Sequence, residues 1–491
     1  MQAWRNLGLS GFVIHSANYR TYGRPQGETN KTKPGGQANI MRFPWAPWKF
    51  WNRVPAPAKR RVHLGIDYGT SVSKVVLRDS GAPGGERAVL VLHNGSFRIP
   101  SRVCMTRTEL LFGDDTKAAA NCAIYESPKM RVADEVSGNP KYPLGLTTTP
   151  SDGFSAADLA ALTVWFLISE GHRAVAAQLN GRMEGVEMGM TMGVPMPFFS
   201  DKQLRTAFLS IARRAWTFYC NEGLLDSALL IGKARRVLEK HPSALSAISD
   251  QEIEDWIENR ATVSVCSPID IIRSEDEAAI WWLLRSPSVR AGPYAKVDIG
   301  AGTTHANLFR IFGTAQTARR SLVRSGAAAV PVGMDSVDHA IAKYQGLSGD
   351  CLALRGLEQS ILQADATVSE ALVPVGEQIY DSYRKAWSEA CSKMCSNALE
   401  LSSWRQHRVF VTGGGSRLPS LVDTVRMHPE QGEPLSVMTL EQPADLVRAD
   451  HKKITSEELP FLTVAYGLSN MESFLPNPYC RDPGSFSFGR H

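Results

Sequence analysis

Apolar and polar positions alternate through VHLGIDYG (residues 62–69) and SKVVLRD (73–79), the period of two that a half-buried strand requires. The tight turn between them closes a β-hairpin. The period then lengthens to that of a helix in SAADLAALTVWFLISEGHRAVAAQL (155–179). VEMGMTMGVPMPFF (186–199) reads as a strand ending at Pro195, and KQLRTAFLSIARRAWTFY (202–219) as a helix. IDIIRSEDEAAIWWLL (269–284) turns from strand to helix, after which the plan begins again. AKVDIGAGTTHANLFRI (295–311) is a second hairpin with an acid and glycines at its turn. A helix follows at SYRKAWSEACSKMCSNALEL (382–401), then strand, glycine turn and helix start in HRVFVTGGGSRLPSL (407–421), and a closing helix in FLTVAYGLSNM (461–471). Two hairpins of one plan, more than 200 residues apart, predict a duplicated α/β unit with a cleft between the copies. Ligands of open α/β folds sit at the carboxyl ends of strands, where these turns lie.

The 491 residues suffice for two to four domains and a large core. Four stretches are expected: a basic arm over 1–61, a first lobe over 62–290 with a helical insertion at about 218–260, a second lobe over 291–469, and a short tail over 470–491. With 43% hydrophobic and 21% charged residues the composition is that of a soluble globular protein. No apolar run approaches the roughly 18 residues of a membrane span, and MQAWRNLGLSGFVIHSANYR lacks the layout of a secretory signal. A cytoplasmic location is the expectation. The eight cysteines form no CxxC pair or metal-spaced cluster and are expected to be mostly buried free thiols.

Charge is unevenly placed. Of the 54 basic and 49 acidic side chains, eleven and one lie in residues 1–61, a net +10 that leaves −5 for the rest. The arm carries GETNKTKPGGQ and then RFPWAPWKFWNR, where Trp45, Trp48 and Trp51 stand between Arg42 and Arg53. Two readings stay open: a segment folding back through its aromatics, or a docking element for a protein, an anionic membrane or a nucleic acid. Met41 is an alternative start of the chain.

Glycine turns let backbone amides converge on phosphate oxygens because no Cβ blocks the approach. A carboxylate beside such a turn repels bare phosphate, so Asp67 in DYGTS and Asp298 in DIGAG imply a divalent cation, Mg²⁺ held mostly through water. No GxxxxGK[ST] sequence is present, which argues against a P-loop enzyme.

LGIDYGTS, KVDIGAGTT and VTGGGSRLP, in this order, resemble the two phosphate motifs and the adenosine motif of the actin, heat-shock chaperone and sugar kinase superfamily. FGDDTKAAA, ESPKM, TMGVPMPFF, RSEDEAAI, GMDSVD and VAYGL are similar to the nucleotide-binding domain of the seventy-kilodalton heat-shock chaperones, so the likeness spans about residues 62–475. The resemblance implies an actin-like ATPase fold of two related lobes around a nucleotide cleft, binding ATP or ADP with Mg²⁺. It implies that Asp67 and Asp298 organise the metal, that Gly69, Thr70, Ser71 and Lys74 hold phosphates, and that Gly300, Gly302, Thr303 and Thr304 clamp them from the other side. Gly413, Gly414, Gly415 and Ser416 approach the ribose and α-phosphate, and Arg417 stacks on the base. Lys129 and Glu275 lie near the attacking water, so the catalytic set is Asp67, Lys129, Glu275, Asp298 and His305.

Three departures stand out. His305 occupies a chaperone aspartate position, where the actin pattern has a histidine; a neutral imidazole there would order water. Losing that carboxylate is expected to weaken cation binding. Asp276 replaces a proline that follows the chaperone glutamate, and the chain after VAYGL is too short for a peptide-binding domain. The expected function is a slow, chaperone-like ATPase serving as a conformational switch for a protein partner engaged by the arm or the 218–260 insertion. An actin-like filament, a small-molecule kinase and an ATP-binding module without turnover are the alternatives, and self-association is open.

Overall fold

A computed structural model describes residues 60–113, 122–138, 153–242, 272–286, 288–313, 321–346, 366–394 and 403–470. Nearly all of the basic arm, residues 243–260 of the expected insertion and all of the tail beyond Asn470 lie outside this set. The chain is α/β. Its strands are β1 (Arg60–Asp67), β2 (Val72–Asp79), β3 (Arg87–Leu90), β4 (Ile99–Pro100), β5 (Arg102–Met105), β6 (Glu109–Phe112), β7 (Ala123–Glu126), β8 (Val186–Val194), β9 (Ala228–Leu230), β10 (Ile272–Ser274), β11 (Gly292–Ile299), β12 (Thr304–Phe312), β13 (Ser321–Val330), β14 (Arg408–Thr412) and β15 (Leu446–Arg448). The helices are α1 (Pro128–Ser137), α2 (Ala156–Gln178), α3 (Met196–Ser200), α4 (Lys202–Glu222), α5 (Ile231–Lys240), α6 (Glu275–Arg285), α7 (Met334–Tyr344), α8 (Ala366–Met394), α9 (Pro419–Arg426) and α10 (Leu459–Leu468).

One sheet runs β10-β8-β1-β2-β3-β15, with β4 on β2; a second runs β13-β12-β11-β14. Both contain the same arrangement. A hairpin, β1–β2 or β11–β12, has a further strand antiparallel to its second member and another parallel to its first. The parallel neighbours β8 and β14 are reached through crossovers that contain helices, as parallel pairing requires. A third, small sheet, β7-β5-β6-β9, extends the first half.

Helix α2 starts at a capping box in which the Ser155 hydroxyl accepts from the Asp158 amide and the Asp158 carboxylate accepts from the Ser155 amide. Such a cap stabilises by about 0.5–2 kcal/mol. Trp165, Phe166 and Leu162 of α2 are buried with Phe208 and Phe218 of α4 over the first sheet. The second sheet packs on α7, α8 and α9 around Tyr383, Trp387 and Trp404. A third core joins the two: Val76 and Leu90 of the first sheet and Phe309 and Phe410 of the second meet Trp282 of α6 and Tyr466 of α10. Complete burial of a side chain of this size stabilises by about 1.5–3 kcal/mol. The close crossing of α10 on α6 needs Gly467, where a Cβ would lie 1.8 Å from the Ala278 carbonyl oxygen.

Several expectations are corrected. Residues 446–469, assigned by sequence to the second lobe, add β15 to the first sheet and lay α10 against β1 and α6. The described part of the 218–260 stretch, expected as a helical insertion, contains a strand as well as a helix. It forms β9, paired to β6, and α5, and it buries Phe218, Leu225, Leu229, Ala234 and Val237 in the first core. Cys104 and Cys122 are not free thiols but a disulfide joining β5 to the chain just before β7. Cys220 is a free thiol at the surface. Helix α8 begins at Ala366, well before the expected 382, because Pro374 inside it reads as a boundary. Among the described residues, no helix is long and apolar enough to cross a membrane.

Candidate functional site

The β1–β2 turn is narrow, its Gly69 amide donating to the Asp67 carbonyl. Asp67 ends β1 opposite Lys74 in the antiparallel register, so the ammonium reaches the carboxylate at 2.9 Å. In the second hairpin the Gly300 amide donates to the Thr303 carbonyl at 2.9 Å, leaving Asp298 at the strand end. Gly302 faces the first turn, since a Cβ built on it would lie 3.6 Å from Thr70 Cγ2. The third turn follows β14, which is parallel to β11 with Thr412 beside Asp298. Gly413 has φ 78, and a Cβ there would meet the Ile299 carbonyl at 2.4 Å and Asp298 Oδ1 at 2.6 Å. All three glycine turns thus border one cleft of about 570 Å³, within the range of small-molecule sites.

Its walls include Asp67, Gly69, Thr70, Ser71, Lys74, Lys129, Glu275, Asp298, Gly300, Thr303, His305, Gly413, Gly414 and Arg417, all singled out in the sequence. Four expected residues are not on the walls. Thr304 is fully buried and donates to the Val332 carbonyl; Gly415 is packed on the Ile299 side chain; Ser416 donates to the Gly413 carbonyl; and Gly302 faces Thr70. Their roles are in shaping the turns.

Helix α1 delivers Lys129 through Ser127, whose left-handed φ of 50 turns the chain into the helix. Lys129 is buried, and its ammonium donates to Glu275 Oε1 at 2.5 Å. Glu275 opens α6 directly after β10. Burial, reinforced by the nearby Asp67 charge, holds the Glu275 carboxyl above its ordinary range despite Lys129.

The neighbouring Asp276 turns the other way. Its Oδ2 is 3.4 Å from His305 Nδ1 and its Oδ1 is 3.7 Å from the Lys296 ammonium. Lys296 also lies 3.0 Å from Asp298 and is 1% exposed, beneath the cleft floor. Burial opposes ionisation of Asp276, but His305 and then Lys296 outweigh it and carry its carboxyl below the usual range. Burial likewise works against a charged His305, yet Asp276, Glu275 and Asp298 together raise its basicity. The expected neutral imidazole thus stands among carboxylates that raise its basicity. The second nitrogen, Nε2, is 3.1 Å from Thr303 Oγ1. Asp276 brings a carboxylate to the wall that His305 lines. Asp276 and His305, 29 positions apart, are each other's partners.

Sequence reading missed Lys296, although a strand's period of two puts it on the same face as Asp298. It also missed Arg98, Arg102, Glu126, Asp335 and Asp338, which line the cleft. Glu126 lies in the ESPKM motif and Asp335 and Asp338 in the GMDSVD motif, but nothing local marks the two arginines: Arg98, for instance, is held over the Phe461 ring at 4.1 Å, a contact between distant segments. No protein-family model matches this chain and no curated protein matches it.

Proposed function

We propose that the chain is an actin-like ATPase of the chaperone type, holding ATP and Mg²⁺ in this cleft and serving as a nucleotide-dependent switch for a protein partner. The observation that carries this reading is the meeting of three glycine turns, two with acids, around a single cavity to which both hairpin sheets contribute. Lys74, Arg98, Arg102, Lys129 and Arg417 supply cations along the same walls, the charge a triphosphate needs.

The fit to magnesium rests on the donor set. Asp67 and Asp298 come from different turns, and each already carries an ammonium. Among the described residues, no three His, Cys, Asp or Glu side chains gather for direct ligation. This suits an ion held by its water shell between the two carboxylates. When bound, Mg²⁺ supplies charge neutralisation for the phosphates. On the protein side, Lys74 is placed to leave Asp67 for a phosphate oxygen. Lys129 and Glu275 are placed to orient water for in-line attack, and the amides of the glycine turns fix the chain of phosphates. Arg417 presents a planar guanidinium to a base. Helix α5 exposes Lys233, Arg235, Arg236 and Lys240, a basic face suited to an acidic partner.

Titration calorimetry with ATP and ADP, with and without Mg²⁺, tests the reading, followed by phosphate release. Binding that Asp67→Asn and Asp298→Asn abolish supports it; no nucleotide binding sinks it. An actin-like filament is the second reading, favoured by Lys74, which falls where the actin pattern has a phosphate-contacting lysine, and by His305. Sedimentation with ATP over a concentration series separates the two, since a filament has a critical concentration.

A further inference from the structure

The Cys104–Cys122 disulfide lies on a strand pair whose other end belongs to the cleft. Strands β5 and β7 run antiparallel, with Arg102 opposite Glu126, Val103 opposite Tyr125, Cys104 opposite Ile124 and Met105 opposite Ala123. The bond ties Cys104 to the residue just before β7. At the opposite end Arg102 and Glu126 both line the cavity and face each other at 3.8 Å. From Glu126 the chain passes through Ser127 into α1, which brings Lys129 to the same wall. One short strand pair thus carries a covalent bond at one end and leads at the other to three charged groups of the cleft, Arg102, Glu126 and Lys129.

The bond sits where packing is thinnest. Strand β7 is four residues long and stands at the edge of its sheet, with β5 as its neighbour. Tyr125 and Glu126 are buried, but Ile124 is half-buried and Ala123 exposed. An exposed strand end of this kind opens readily, and in so short a strand the opening reaches Glu126 within four residues. The disulfide fixes the register of the pair at that end. Its two sulfurs differ in access: Cys104 is fully buried and Cys122 half-buried. An attacking thiolate therefore reaches Cys122 first, with Cys104 as the leaving group.

We propose that Cys104 and Cys122 form a redox site through which a dithiol regulates nucleotide binding in the cleft, an inference that rests on the proposed ATP site. One thiolate of the dithiol bonds to Cys122 Sγ, and the bond to Cys104 breaks with its electron pair on Cys104, which takes up a proton. The second thiol then displaces Cys122, closing the dithiol's own disulfide and leaving Cys122 as a thiol. Two electrons and two protons pass from the dithiol to the protein. The oxidised chain, with β7 fixed, is the tight-binding form, and reduction releases that wall. Coupling between two sites is reciprocal. Bound ATP must therefore make the disulfide harder to reduce, by the factor by which reduction weakens ATP.

The test uses the full chain, below its thermal midpoint, in dithiothreitol buffers of defined reduced-to-oxidised ratio. Calorimetry is expected to give about tenfold weaker ATP binding in the reduced form, within the usual span for coupled sites. Alkylation and mass spectrometry of the Cys104 and Cys122 peptides give the buffer ratio at half reduction, which saturating ATP should raise by the same factor. These two measurements need no variant. A Cys104→Ser, Cys122→Ser double variant should bind ATP as the reduced chain does and ignore the buffer. Equal affinity in the two forms, a half-reduction ratio that ATP leaves unmoved, or a double variant that still responds overturns the inference. If the oxidised chain binds no ATP, the functional reading falls, and hydrogen exchange over residues 123–130 decides the rest. Faster exchange on reduction supports the disulfide's hold on this wall; unchanged exchange overturns it.

Discussion

Lys296 is a buried cation that the sequence motifs did not pick out. Its ammonium is buried between Asp298 at 3.0 Å and Asp276 at 3.7 Å, and those carboxylates raise its basicity against the effect of burial. Removing one partner of a buried ion pair leaves uncompensated charge and typically costs about 3–5 kcal/mol. Lys296→Met, close in volume, is therefore expected to lower stability by about that amount at neutral pH, measured by urea unfolding. A variant as stable as the wild type would show that the pair is not formed. Gly413 is the second sensitive residue. With φ 78 and two oxygens within 2.6 Å of a Cβ, Gly413→Ala must displace Asp298 or the third turn. It should destabilise by about 1–3 kcal/mol and weaken nucleotide binding, both read from one thermal-shift titration. Lys296 was legible in principle, two places before an acid in a strand. The Asp276–His305 contact was not: the residues are 29 positions apart on a helix and a strand, and no local pattern brings them together.

The elements that the hydropathy pattern marked are those with a long, unbroken period. Both hairpins, α2, α4, α6 and α10 are of this kind. Those missed had a reason to be silent. β13 runs through Gly326 and Ala327 to Ala329, weak strand formers, and Gly326 is required there because a Cβ would lie 2.1 Å from the Ala386 carbonyl of α8. Strands β5, β6, β7 and β9 are three or four residues long, too short to display a period. The disulfide belongs to this group of elements, tying β5 to the approach of β7. It closes a sequence separation of 18 residues, for which loop closure predicts about 3 kcal/mol. A reducing agent is expected to lower the thermal midpoint of the wild type, and a Cys104→Ser, Cys122→Ser double variant should start at the lower value and not respond. Such bonds are uncommon in reducing compartments, so the same measurement bears on the cytoplasmic expectation. Because β7 leads into Ser127 and Lys129, reduction should also loosen one wall of the cleft.

Over the whole molecule, stability should depend on pH through groups far from the cleft. His407 is fully buried, its Nδ1 bonded to the Trp404 carbonyl at 2.7 Å and its Nε2 to the Tyr383 hydroxyl. Burial first, and the neighbouring His428 in addition, lower its pKa to about 4 from 6.5, the Trp404 contact opposing. The folded state therefore favours the neutral ring. Stability is complete above the unfolded value near 6.5 and declines as pH falls toward 4. One group contributes at most about 1.4 kcal/mol per pH unit over that window. Urea unfolding at pH 7 and pH 5 should differ by about 2 kcal/mol from this residue, and a His407→Gln variant, weaker at pH 7, should lose less between the two. The joining of the two sheets through α6, α10 and β15 was the feature least visible in the sequence, because it depends on a strand supplied by a segment more than 350 residues from its partner β3.

Glu275 and Asp276 are adjacent on one helical turn, yet the first is anchored to Lys129 beside the first sheet and the second to His305 and Lys296 in the second sheet. A single peptide unit therefore spans both banks of the cavity like a rivet through two plates. Parting the banks must rupture one anchor before the other. Whichever goes first, the strain of any opening falls on one of two consecutive acids.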